Sequence, residues 1–142
     1  MQNEEGKICC HYHKQFIHPA MGEFNDFYLL MRETIEPNES IEKCLSRGLM
    51  EEFGIEGTLK SYLGSIVANF SHRNMEVEKT TLYFLCNLIS FDLSRRKAED
   101  PEAGSEIVWM DLEELIQKMK EQGKRLNRED VDESKVLERL KN

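Results

Sequence analysis

The chain has 142 residues, a length typical of one domain with a single hydrophobic core. Its hydrophobic fraction of 39% and charged fraction of 32% fit a compact soluble domain and argue against a disordered chain. The formal net charge of −8 argues against binding of duplex nucleic acid, because proteins that bind duplexes usually present a basic face to the phosphates. We therefore expect one domain over residues 1–142.

The first residues, the lengths of the apolar runs and the cysteine spacing indicate in which compartment the protein is expected. The first residues lack the basic and apolar regions of a signal peptide, and no apolar run approaches the ~20 residues that span a bilayer. The cysteines show no metal-binding CxxC spacing, so we interpret them as reduced thiols. They are Cys9, Cys10, Cys44 and Cys86. A cytoplasmic protein without a membrane partner is expected.

The N-terminal half predicts two extended segments and one helix. Residues 7–17 are rich in β-branched and aromatic types, which predicts a strand, and residues 18–26 indicate a turn-rich connection. Residues 27–35 predict a second extended stretch. A helix is predicted from Ser40 to Phe53, because apolar residues recur there at helical spacing and Gly54 follows in the place of a C-terminal glycine.

The C-terminal half predicts a hairpin, a short strand and two helices. The apolar segments 59–70 and 78–91 indicate paired strands, with the second buried on both faces. Residues 106–110 predict a short strand, and Asp111 is expected to cap an amphipathic helix. A final helix is predicted from Asn127. Strands and helices in this order favour an α/β (α+β) fold, with helices packed on the faces of a mixed sheet.

Charged residues are concentrated at the end of the first predicted helix. Glu51 and Glu52 end this helix, Arg47 lies one turn earlier, and Glu39 precedes it. Carboxylates grouped in this way can coordinate a hard divalent cation. From the residues alone, a solvated helix face with an Arg47–Glu51 pair is the more ordinary interpretation. Both interpretations stay open at this point.

The spacing of these residues resembles the Nudix box, G-x5-E-x7-R-E-U-x-E-E-x-G-U, where U is aliphatic. Glu39 falls at the first Glu of the pattern, and Arg47 follows at the Arg. The later matches in register are Leu49, Glu51, Glu52, Gly54 and Ile55. Similarity to the family continues in order over about residues 25–120. The resemblance implies a Nudix-type α/β/α sandwich.

Two positions depart from the family's pattern. Glu33 stands where the box opens with Gly, and Gly48 stands where the Glu of the Arg-Glu pair is expected. In the family that second position supplies a metal ligand or a general base. A glycine inside a helix also costs about 1 kcal/mol relative to Ala. The departures therefore put catalysis in doubt and leave the fold expectation intact.

The resemblance implies which residues would carry the chemistry. Glu51 and Glu52 would be catalytic residues and ligands of Mg²⁺ or Mn²⁺, with Glu39, Arg47 and Gly54 supporting the geometry of the box.

The charged segment 94–106 is expected to be a surface loop that contributes a further catalytic carboxylate. Glu102 is the preferred candidate, and Glu99 and Glu106 are alternatives. Glu33 and Glu36 could also replace the missing acid. Lys79 could meet a phosphate, although an exposed, solvated lysine is the more ordinary interpretation.

Two functions follow from the resemblance. The preferred one is metal-assisted hydrolysis of a pyrophosphate bond in a nucleoside diphosphate linked to another moiety, with reduced activity. The alternative is a catalytically impaired Nudix-fold module that binds a nucleotide or a protein partner without hydrolysis. Both predict a nucleotide-derived small molecule as ligand, and a homodimer is left open.

Overall fold

A computed structural model of the chain describes residues 1–18, 22–99 and 104–141. The strands are β1 Ile8–His18, β2 Gly22–Leu29, β3 Ile55–His72, β4 Met75–Phe91 and β5 Glu106–Met110. The α-helices are α1 Ile41–Phe53, α2 Leu112–Leu126 and α3 Ser134–Leu137, with short 3-10 helices at Leu93–Arg95 and Glu138–Lys141. Within the described residues, no helix combines the length and apolar character needed to cross a bilayer.

The strands form two antiparallel groups. β1 lies between β2 and β5, whereas β3 and β4 form a long hairpin. The turn between β3 and β4 consists of Arg73 and Asn74, whose φ angles of 50° and 62° are those of a two-residue hairpin turn. An isolated parallel bridge between Gln2 and Asn87 links the N-terminal residues to β4.

The hydrophobic core lies on both sides of β1. Side chains alternate along a strand, so Cys9 faces α1 and Cys10 faces α2. The cluster under α2 consists of Ile8, Cys10, Met110, Leu115, Ile116, Met119 and Leu137. The cluster under α1 consists of Cys9, Leu49, Phe53, Ile55 and Cys86. The expected sandwich of helices around a sheet is confirmed, and all four cysteines are free and buried.

The extent of β2 differs from the prediction. The strand already begins at Gly22 within the expected connection, because Phe24 pairs with Phe16 across from it. It ends at Leu29, well before the expected residue 35. The chain leaves the strand there because the Leu30 N–H donates to a carboxylate at 3.0 Å instead of to a neighbouring strand.

The prediction that β4 is buried on both faces is wrong. Leu82 and Ile89 retain 44% and 62% of their side-chain exposure. The reason is topological, because β3 is the only strand that pairs along β4 in the described residues. Only the central part of β4, around Tyr83 and Cys86, reaches the core.

The C-terminal helices also differ from the prediction. Asp111 occupies the N-cap position of α2, but its side chain makes no capping hydrogen bond. Asn127 ends α2 in a left-handed conformation with a φ of 50°, instead of starting a new helix, because asparagine tolerates that conformation. The next helix, α3, begins only at Ser134.

The segment before α3 is fixed by the fully buried carboxylate of Glu133. Arg32 donates to it from Nε at 3.0 Å, and the Tyr83 hydroxyl donates at 2.7 Å. The Leu30 N–H donates to its other oxygen. Burial alone would lower the pKa of Arg32, but the charge of Glu133 raises that pKa above its ordinary value. The network therefore ties the C-terminal segment to the end of β2 and to β4.

Replacement of Glu133 by Ala should destabilise the fold strongly. The substitution leaves the half-buried Arg32 charge without its carboxylate, so we expect the free energy of unfolding to fall by about 3–5 kcal/mol. Denaturant unfolding measures this change. Glu138→Ala is the matched control, because the exposed Glu138–Lys120 pair should contribute little. Equal losses in the two variants would contradict a special role for the buried carboxylate.

Candidate functional site

Helix α1 is held firmly at both ends. Ser40 caps its first turn by accepting a hydrogen bond from the Lys43 N–H at 3.2 Å. Gly54 ends it with a φ of 65°, and a Cβ at that position would lie 2.1 Å from the Asp92 carbonyl oxygen. The Lys97 N–H donates to the Glu51 carbonyl at 2.9 Å. These contacts fix the positions of the charged side chains that α1 carries.

Arg47 gathers the carboxylates around α1. Its guanidinium donates to both oxygens of Glu39, each at 2.9 Å, and lies 3.3 Å from a Glu33 oxygen and 3.8 Å from a Glu51 oxygen. The hydrogen bond from Arg47 and the Glu36 N–H together lower the pKa of Glu39 from an ordinary 4.5 to about 2. Glu33 and Glu39 therefore serve to anchor Arg47.

Gly48 is buried where α1 crosses the segment after β2. A Cβ added at Gly48 would lie 2.9 Å from Met31 Sδ and 3.0 Å from Glu33 Cβ. A contact of this length requires one of the two groups to move, and Met31 Sδ lies near the end of a flexible side chain. A side chain at position 48 would therefore have to displace Met31.

Glu52 lies inside the protein and not at its surface, with 3% exposure. Its Oε2 is 2.6 Å from Nε2 of His11, which is also buried. At this distance the two groups share one hydrogen bond. Nδ1 of the same ring lies 2.7 Å from the Ser105 hydroxyl, to which Arg96 donates at 2.7 Å. The carboxylate of Glu52 is therefore part of a polar chain that joins α1, β1 and Ser105, the residue just before β5.

The remaining acids predicted for the site are not buried as Glu52 is. Glu51 has 28% side-chain exposure, and the Lys97 ammonium is 3.4 Å from one of its oxygens. Glu99 is exposed in the segment before β5, and Glu106 is exposed at the first position of β5. Glu102 lies outside the described residues, so its assignment stays a prediction.

A cavity of about 330 Å³ opens between the ends of β1 and β2 and the β3–β4 hairpin. One wall is aromatic, because Phe16 stacks on the buried Phe27 with ring centroids 4.8 Å apart, and Phe70 also lines the space. Planar apolar walls of this kind bind flat ring systems by stacking.

Three cationic side chains line the same cavity, Arg32, Lys79 and Arg128, and Asp130 is the only carboxylate among the described lining residues. Arg128 is paired with Asp130 at 2.9 and 2.7 Å, and Arg32 is paired with Glu133. Lys79 is therefore the lining cation without an ion pair in the part of the chain that the structure describes, and its charge favours an anionic ligand.

A family model decides the relationship of the chain to known proteins. The model described as NUDIX domain matches residues 3–130, which is most of the chain. The chain belongs to the Nudix family. The resemblance seen in the sequence and the Nudix-type sandwich are thereby confirmed.

Two solved Nudix-type structures are similar to the chain. The crystal structure of the MutT protein from Methanosarcina mazei Go1 shares 18% sequence identity with this chain. The match spans 91% of this chain and 88% of the MutT chain, with a TM-score of 0.51. The solution structure of the E. coli ORF135 protein shares 20% sequence identity with this chain. The match spans 99% of this chain and 84% of the ORF135 chain, with a TM-score of 0.58. No curated protein matches the chain. At these identities the likeness establishes the fold alone.

Nudix proteins generally use divalent metal cations, but the donor set in this chain does not fit one. Gly48 supplies no ligand, Glu52 is buried against His11, and Glu51 faces Arg47 and Lys97. Over the described ranges 1–18, 22–99 and 104–141, no three His, Cys, Asp or Glu side chains come together as a metal site. The assignment of Glu51 and Glu52 to Mg²⁺ or Mn²⁺ remains a prediction that this geometry does not favour.

Sequence reasoning missed the partners of the buried carboxylates. Nothing in the sequence indicates that His11 meets Glu52, or that Arg32 meets Glu133. The only signal for His11 was its position between apolar residues of a predicted strand, which indicates burial but names no partner.

Gly48→Ala should destabilise the protein although alanine favours helix. Overpacking against Met31 costs about 1–3 kcal/mol, which outweighs a propensity gain of about 1 kcal/mol. In a Met31→Ala background the same substitution should become neutral or stabilising. Denaturant unfolding of the four proteins gives the coupling. Ser46→Ala, on the exposed side of α1, is the control that should not respond to Met31. An effect of Gly48→Ala that is identical in both backgrounds would refute the steric explanation.

The Glu39–Arg47 pair should make stability depend on acid pH. A carboxyl whose pKa is depressed on folding stabilises the fold above its unfolded pKa, and that contribution is lost as pH falls through the folded value. The melting temperature of the native protein should therefore exceed that of Glu39→Gln at pH 7, and the difference should vanish as pH falls from about 4.5 to about 2. Glu42→Gln is the control on the same helix. A difference that persists at pH 2 would contradict the assignment.

Proposed function

We propose that the chain is a Nudix-fold module that binds a nucleoside phosphate without hydrolysing it. One observation carries this proposal. The cavity between β1, β2 and the β3–β4 hairpin presents cations and an aromatic wall to a ligand, whereas the carboxylates of the box are paired with partners within the protein. The geometry thus favours the second of the two functions that the sequence suggested.

The aromatic wall accounts for the nucleoside part. Phe27 lies behind Phe16 and retains only 1% exposure, so a base would meet the outer rings of this wall, Phe16 and Phe70. Stacking of a base on an aromatic side chain contributes about 1–3 kcal/mol and tolerates different bases. The wall therefore supports a purine or pyrimidine ligand without selecting one of them.

The three cations account for the phosphate part. Arg32 is held by Glu133 and donates to the Asp130 carbonyl at 2.7 Å, so its position is fixed before a ligand arrives. Arg128 is likewise held by its bidentate pair with Asp130. Lys79 is exposed and has no ion pair within the described residues, so its ammonium has all its donors available. A preformed Arg pair with one adaptable Lys suits a phosphate group.

Metal-dependent hydrolysis of a pyrophosphate bond is the second candidate function. The observation that favours it is the position of Glu51, which is partly exposed at the end of α1. Mg²⁺ or Mn²⁺ bound there would need further oxygen ligands, and Glu102 is the remaining candidate donor. For this function, a metal cation would have to replace Arg47 and Lys97 as the partner of the Glu51 carboxylate.

Binding and turnover measured side by side separate the two functions. We expect ADP, UDP and GDP to bind in calorimetry with EDTA present, and to release no product with Mg²⁺ or Mn²⁺. Lys79→Met should weaken binding about tenfold, the effect of one charge-assisted contact. Lys60→Met, an exposed lysine of β3 outside the cavity, should leave it unchanged.

The opposite results are equally clear. Metal-dependent turnover of a nucleoside diphosphate derivative that is lost in Glu51→Gln would establish the hydrolase and overturn the non-hydrolytic proposal. Absence of nucleotide binding, or equal effects of Lys79→Met and Lys60→Met, would show that the cavity is not a nucleotide site.

A further inference from the structure

The outer edge of β3 has no strand neighbour among the described residues, because β4 lies along its other edge. A bulge between Tyr62 and Gly64 interrupts this outer edge, and the Arg139 side chain donates to the Leu63 carbonyl at the same point. From Gly64 to His72 the pairing with β4 is regular. The outer edge is therefore straight from Gly64 to the hairpin turn, a length of about 30 Å.

The hairpin turn determines which backbone groups of this edge point outward. In a two-residue hairpin the flanking pair, here His72 and Met75, exchanges backbone hydrogen bonds. Hydrogen-bonded and non-hydrogen-bonded pairs then alternate along the ladder, so every second residue of β3 directs its N–H and C=O away from β4. These residues are Ser65, Val67, Asn69 and Ser71, and all four are exposed. The edge thus presents regularly spaced donors and acceptors to another strand.

The same stretch of β3 lacks charge. Residues 61–71 contain no Asp, Glu, Lys or Arg, although 32% of the residues in the chain are charged. Edge strands usually carry charged side chains or prolines, which prevent pairing with other molecules. The facing part of β4 does carry them, as Glu76, Glu78 and Lys79. A straight, uncharged and exposed edge therefore indicates a surface that pairs with a further strand.

The sequence of this edge is complementary to itself. Two identical strands can pair antiparallel about a two-fold axis, and each then contributes the same surface to the interface. If Val67 lies opposite its own copy, Ser65 lies opposite Asn69 of the second copy, so apolar meets apolar and polar meets polar. Glu78 pairs with Asn69 and Leu82 pairs with Ser65 in the hairpin, so the Glu78 of one copy would share a row with the Leu82 of the other. Like charges therefore do not face each other across this row.

We propose that β3 pairs antiparallel with β3 of a second copy of this chain, about a two-fold axis at Val67. The two hairpins then form one four-stranded antiparallel sheet. Interfaces below about 1,200 Å² in total belong to the weak class, and a single strand edge is of this size, so we expect a dissociation constant in the micromolar range. Ile66 and Ala68 line the cationic cavity from the opposite face of β3, so the pairing leaves that cavity open. The inference does not depend on the proposed function.

Sedimentation equilibrium of the full chain between about 1 and about 200 µM tests the pairing. The average mass should rise with concentration from 16.7 kDa towards twice that value. Val67→Lys brings two like charges together at the axis and should weaken the dimer at least about a hundredfold. Thr80→Lys is the matched control, because Thr80 is the exposed partner of Val67 on β4 and lies away from the axis. It should leave the dimer unchanged.

Two further variants test the edge without adding charge. Asn69→Pro removes an outward N–H that β4 does not use, so it should abolish the dimer while the thermal transition of the monomer persists. Val67→Cys should be joined to its own copy by a short bismaleimide, because a residue at a two-fold axis meets itself. Thr80→Cys should not be joined, and the four native cysteines are buried.

Three results would overturn the inference. The first is a chain that stays monomeric at about 200 µM, which would leave the edge to a strand of another protein. The second is a dimer that persists in both Val67→Lys and Asn69→Pro, since it would use another surface. The third is growth beyond two copies, because pairing about a two-fold axis closes after one partner.

Discussion

The structure depends on one buried negative charge. Glu133 has no exposed surface, and burial of a carboxylate is costly unless donors surround it. Its donors come from the chain after β2 and from β4. The requirement to satisfy this carboxylate accounts for the end of β2, the course of the C-terminal segment and the position of Arg32. Arg32 in turn lines the cavity between β1, β2 and the β3–β4 hairpin, so part of that cavity's wall follows from the burial of Glu133.

A second constraint is the compensation of acidic charge around α1. Free carboxylates that lie close together repel one another unless a cation lies between them. Here Arg47 lies between Glu33, Glu39 and Glu51, and His11 accompanies Glu52 inside the protein. The single charge of Arg47 offsets only part of the negative charge around it. The repulsion is nevertheless reduced by side chains of the chain itself.

The local features of the fold could be predicted from the sequence, and the long-range pairs could not. The capped helix α1, its glycine terminus and the opposite directions of Cys9 and Cys10 follow from periodicity and backbone preference, which act over a few residues. The His11–Glu52 and Arg32–Glu133 pairs join residues that are 41 and 101 positions apart. A single sequence carries no record of such pairs. The exposure of β4 was unpredictable for the same reason, because it depends on which strand lies beside it.

The contact between Gly48 and Met31 also determines which sequences this chain can reach by single changes. A side chain introduced at position 48 would meet Met31 Sδ and the Cβ of Glu33, so Met31 would have to move before the new group could fit. The effect of such a change on stability therefore depends on the residue at position 31. Substitutions at positions 31 and 48 are coupled, and the effect of either one should be judged with the other residue specified.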